Sequence, residues 1–142
     1  MNDPRISLRL IGDSRIYHCA QEISGEFFVD TSDPQELKAA ELSVLWYTEG
    51  KGEEDIAVHH FQRIANDNGE VDFRRTQPFR TQLPNSPLSY DGEIVKVCWC
   101  VRLRVFLPQV QETVAETAFR LGNVSAASDA APEEAEQQSE EM

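Results

Sequence analysis

The stretch Ile94 to Leu107, IVKVCWCVRLRVFL, alternates with a period of two. Val95, Val97, Trp99, Val101, Leu103 and Val105 fall on one side, and Lys96, Cys98, Cys100, Arg102 and Arg104 on the other. Successive side chains of an extended strand point to opposite faces, so this pattern predicts a long strand with one face in a core and the other turned away from it. A strand that long and that cleanly divided belongs at the centre of a sheet. Trp99 is expected in the core.

The same period recurs on both sides of this strand, in runs bounded by Gly, Pro, Asn and Asp. Arg5 to Ile11 sets Ile6, Leu8 and Leu10 against Arg5, Ser7 and Arg9. Glu22 to Asp30 turns Ile23, Gly25, Phe27 and Val29 inward, with Phe28 breaking the alternation. After the turn chemistry of Ser32-Asp33-Pro34, Leu37 to Thr48 places Ala40, Leu42, Val44 and Trp46 on one face. Gly50-Lys51-Gly52 then closes a hairpin with the β-branched and aromatic run Asp55 to Ile64. Phe79 to Leu83 is a brief strand ended by Pro84, and Thr113 to Leu121 is a last strand whose Val114, Ala118 and Leu121 would also suit a short helix. About seven strands, no convincing amphipathic helix and no internal repeat predict an all-β fold, an antiparallel immunoglobulin-like β-sandwich. The cysteine pair flanking a core tryptophan that marks antibody-type domains is absent, so the lineage is a different one.

Composition divides the chain at residue 124. Residues 125–142, SAASDAAPEEAEQQSEEM, carry six acidic and no basic side chains and nothing aliphatic larger than alanine, which predicts a disordered acidic tail. Residues 1–124 are the size of one domain with its own core. The formal charge of −12 falls to −6 without the tail, 19 acidic against 13 basic. Such a body repels phosphate backbones and anionic lipid, and the longest apolar run is interrupted by Lys96, Arg102 and Arg104. The expectation is no nucleic acid and no membrane insertion. An odd number of cysteines and a polar N-terminus predict a cytoplasmic protein.

Three features in order resemble the N-terminal lobe of the arrestin-like superfamily, which includes arrestins, a related retromer subunit and bacterial sporulation-control relatives. They are Tyr17 followed by Glu22-Ile23-Ser24-Gly25-Glu26-Phe27, then Leu83-Pro84, then Ser89-Tyr90-Asp91-Gly92 leading into Ile94 to Leu107. The resemblance spans residues 5–121. Ala20-Gln21 stand where the family has Pro-Gly, no basic pair for sensing phosphate lies near Arg9 to Arg15, and a second lobe is missing. What the resemblance implies is the arrestin-like sandwich fold and a non-catalytic scaffold or adaptor role, without receptor recognition.

Chemistry-bearing patterns are sparse. There is no Gly-x-Ser-x-Gly elbow, phosphate loop or His-Glu-x-x-His helix, so no enzyme activity and no cofactor are expected. Glu53, Glu54 and Asp55 sit beside a hairpin and read as a solvated turn. Cys98 and Cys100, two apart on a strand, point the same way and support an alternative function in metal binding or thiol redox. His18, Cys19, His59 and His60 are the only other soft ligands, and adjacent His59 and His60 should face opposite sides. Two small residues on a partly covered face explain the cysteines without metal. The favoured function is therefore a protein-interaction module with a protein partner. Its contact surface is placed on the loop Ala65 to Gln77, where Phe73, Arg74 and Arg75 combine an aromatic with a basic cluster. Against this stands the possibility that Val71 and Phe73 alternate on a short strand, with Phe73 covering the end of the core.

Overall fold

A computed structural model describes residues 4–32, 36–52, 54–108 and 111–122. The acidic tail assigned to residues 125–142 lies outside the described residues, as do Asp33, Pro34 and Glu53 of the two expected turns. Nine strands are present among the described residues, in the order β1 Arg5–Leu10, β2 Ile16–Tyr17, β3 Glu22–Asp30, β4 Ala39–Gly50, β5 Ile56–Ala65, β6 Gln77–Gln82, β7 Tyr90–Asp91, β8 Val95–Phe106 and β9 Glu112–Leu121. Seven of these have six or more residues and match the expected runs. None of the described residues forms a helix long and apolar enough to cross a membrane.

The strands make two sheets. The short sheet has the order β1-β3-β6, and the long one β2-β9-β8-β4-β5, with β7 pairing onto β8. β8 is thus interior to the long sheet, as its alternation requires. One side of each sheet supplies the core: Leu10, Ile23, Phe27, Val29 and Phe79 from the short sheet meet Ala40, Leu42, Val44, Trp99, Val101, Leu103 and Val105 from the long one. Trp99 is buried and its indole Nε1 donates to the Pro87 carbonyl at 2.8 Å, which satisfies its one polar atom. Trp46 packs against the core partly buried.

One feature departs from the expected antiparallel sandwich, and the last expected strand is present as read. β2 pairs with β9 in parallel, Ile16 opposite Arg120 and Tyr17 opposite Leu121, so the long sheet is mixed. Two residues are too few to show an alternation, which is why β2 has no signature. β9 is a strand throughout; Phe119 and Leu121 are buried and Val114 is exposed, the reverse of the helical grouping of Val114 with Leu121. Pairing along β8, from Trp99 opposite Phe119 to Phe106 opposite Glu112, holds this segment as a strand.

Gly25 sits where space is shortest. It pairs with Leu10 on β1 and Phe79 on β6, and a Cβ there would fall 2.5 Å from Phe79 Cζ and closer still to the Arg9 carbonyl oxygen. Close approach, rather than an unusual backbone angle, requires glycine at this position.

Candidate functional site

The loop after β5 is built around Asn66 rather than left open. Asn66 is buried; its Nδ2 donates to the Leu37 carbonyl at 2.9 Å, and its Oδ1 accepts from the Val71 amide at 2.8 Å. These bonds turn the chain back over the sandwich and set Phe73 into the core with 0% of its surface exposed. The Phe73 carbonyl also accepts from the Val29 amide at 2.8 Å, at the end of β3. Phe73 therefore closes the core and is not offered to a partner, which corrects the expectation that it forms a contact patch with Arg74 and Arg75. The aromatic is held there by the need to cover apolar side chains.

Arg74 and Arg75 are both exposed, as a contact surface needs, but only one is uncommitted. Arg74 Nε and Nη2 donate to the two carboxylate oxygens of Asp72 at 3.0 and 3.2 Å. The Asp72 carboxyl is held below its ordinary value by those hydrogen bonds, and the Arg74 guanidinium is raised in turn. Arg75 makes no ion pair among the described residues. Of the two arginines, the loop thus leaves one cation free, a thin basis for recognition.

The cysteines lie on the outer face of the long sheet. Cys100 is 3% exposed, between Leu45 of β4 and Ala118 of β9, and Cys98 is half-buried opposite Tyr47. Burial, reinforced by Glu116, pushes the Cys100 thiol up to about 11, and burial with Glu49 and Asp91 raises Cys98. Thiolate is the nucleophile and the metal ligand, so both thiols are held in the inert form at neutral pH. All three cysteines are free, and the described residues contain no group of three or more metal-ligating side chains. Cys100 is expected to resist iodoacetamide at pH 8 in the folded protein and to react on unfolding. Its upward shift from 9.0 lowers the thiolate fraction about a hundredfold, a difference that peptide mapping after timed alkylation would read. Rapid native labelling of Cys100 would revive the redox alternative.

Outside these expected positions, the long sheet carries an apolar surface at its β5 margin. The register runs Ala118, Cys100, Leu45 and Val58 across β9, β8, β4 and β5, and beside it Cys98, Tyr47 and Ile56. Toward the other end the same face turns polar, with ion pairs Arg102 to Glu116 at 2.5 Å, Arg63 to Glu41 at 2.5 Å and Arg104 to Glu112 at 3.8 Å. Leu45 and Cys100 are covered by their neighbours. Ile56, Val58 and Phe61 are not, at 59%, 53% and 53% exposure. All three stand on β5, whose strand partner among the described residues is β4 alone, so among these residues its second edge is open.

A bulge shapes this strand. Val44 pairs with His60 but the next residue, Leu45, pairs with Val58, leaving His59 as the extra residue. His60 shares the column of core-facing Val44. His59 lies with its ring centroid 6.2 Å from that of core Trp99 and its Nε2 2.7 Å from the Gln82 carbonyl oxygen. Both histidines therefore turn toward the short sheet, which corrects the expectation that neighbours must face opposite ways. The bulge also hid Ile56, Val58 and Phe61 from the sequence. Period two groups Val58 with His60, whereas the fold groups it with Phe61.

No known protein family model matches the chain, and no curated protein matches it in sequence. Solved structures do. The sporulation control protein Spo0M from Bacillus subtilis superposes with a TM-score of 0.61 at 14% identity, over 87% of this chain and 51% of that one. The chain thus spans about half the length of this neighbour. Spo0M has an arrestin-like fold, so the all-β, arrestin-like sandwich expected from the sequence is the fold of this chain.

Proposed function

We propose that the chain is a non-catalytic protein-interaction module, a scaffold or adaptor, that binds through the open edge of β5 and the apolar surface beside it. The observation that carries this reading is the exposure of Ile56, Val58 and Phe61 by more than half each on a ten-residue strand that is paired on one side among the described residues. An open edge offers backbone donors and acceptors to an added strand, and apolar side chains on the same strand supply burial when it arrives. The structural neighbour is a sporulation control protein, and a control role suits a binding module. Three free thiols fit a cytoplasmic setting.

The alternative function, metal binding or thiol redox at Cys98 and Cys100, is disfavoured by the raised thiols. Val58→Lys tests the proposal, because lysine on an edge strand opposes strand addition while position 58 is too exposed to matter to the core. Proteins recovered from native cell extract by a tagged wild-type chain should be lost on the variant, with its circular dichroism unchanged. Unaltered recovery would refute the proposal.

A further inference from the structure

We infer that the strand added at the β5 edge is β5 of a second copy of this chain, paired antiparallel about a two-fold axis between His59 and His60. The inference rests on the proposed binding edge and names its occupant.

The bulge is what selects the partner. From the β4 register, the residues of β5 that face outward are Ile56, Val58, Phe61 and Arg63, opposite Tyr47, Leu45, Ser43 and Glu41. Those facing the short sheet are Ala57, His60 and Gln62, opposite Trp46, Val44 and Leu42, together with the bulged His59. Read from Ile56 to Arg63 the sequence of facings is out, in, out, in, in, out, in, out. This order is the same in both directions. Strands that pair directly opposite must agree in facing at every position, because opposed side chains share a face of the sheet. A regular strand without an extra residue agrees with β5 on one side of the bulge and disagrees on the other, which is how bulges guard sheet edges. A second β5 carries the same extra residue at the same place, so the guard cancels.

In that pairing Val58 lies opposite Phe61 of the second copy, and Phe61 opposite its Val58. Four apolar side chains that are each more than half exposed in the single chain then form one cluster on the outer face. Ala57 meets Gln62, and Ile56 meets the aliphatic stem of Arg63. Charge agrees with the antiparallel direction. Glu54 and Asp55 precede the strand, exposed and without an ion pair among the described residues, and Arg63 stands near its end. Antiparallel pairing brings Glu54 and Asp55 of each copy alongside Arg63 of the other, where a guanidinium already on Glu41 has donors to spare. Parallel pairing would set like charges together. Self-association of this kind is isologous and closes at two copies, joining two long sheets into one.

Sedimentation equilibrium of the full chain should give twice the chain mass for the wild type at sub-millimolar concentration. Val58→Lys and Phe61→Glu should each be monomeric, with wild-type circular dichroism, and should melt like the wild type once dilution has dissociated it. The two variants mixed should form a dimer, because the introduced lysine of one then faces the introduced glutamate of the other, and one native Val58 to Phe61 pair remains. A monomeric wild type overturns the second copy as occupant, and recovery from extract then decides the edge itself. A dimer that persists in both single variants, or variants that fail to complement, overturns the pairing described.

Discussion

Phe73→Ser is expected to destabilise the fold by about 3–5 kcal/mol, the range for removing a buried aromatic ring. The ring is fully enclosed and the residue is tied to the end of β3 through the hydrogen bond from the Val29 amide to its carbonyl. Serine would leave a cavity and place a hydroxyl where the surroundings are apolar. Arg74→Glu, at the next position in the same loop, should change stability little, since the Arg74 to Asp72 pair is exposed on both sides. Urea unfolding of the two single variants separates the roles. A Phe73→Ser chain with the wild-type midpoint would show that the ring is a surface contact after all, and would reopen the loop as the binding site.

Gly25→Val is the second large effect, about 1–3 kcal/mol through overpacking. The neighbours that a side chain meets are the Phe79 ring and the Arg9 backbone carbonyl, and a carbonyl held in the β1 to β3 ladder has little room to retreat. The strain would act on the β3 to β6 ladder, where Gly25 lies opposite Phe79. Thermal melting of the variant should show a clear downward shift. An unchanged curve would mean that the two ladders open without cost, contrary to the packing described.

What the sequence made legible follows from where a single physical signal acts alone. Burial of one face writes a period of two, and it wrote β3, β4 and β8 clearly enough to place Ile23, Phe27, Val44, Trp99 and Val101 in the core. Gly25 was readable because an inward glycine between large apolar residues implies crowding. β2 and β7 were not readable, since two residues carry no period. The loop failed for a different reason: Phe73 between charged neighbours has the composition of a contact patch, and only the fold of the chain around Asn66 shows that the ring points inward. At β5 the alternation was visible but its phase was not, because a bulge shifts facing without altering composition. Ile56, Val58 and Phe61 therefore passed as ordinary strand residues when they form the outer surface of an open edge.

Binding at that open edge is tested most directly by recovery of bound protein on wild-type and Val58→Lys chains. Tagged versions of both, matched in circular dichroism and amount, would be incubated in the same native extract and their bound proteins compared. An edge that binds through β5 predicts that the wild type retains specific proteins, the untagged chain among them, and that Val58→Lys retains none of these. Equal recovery by the two chains would contradict it.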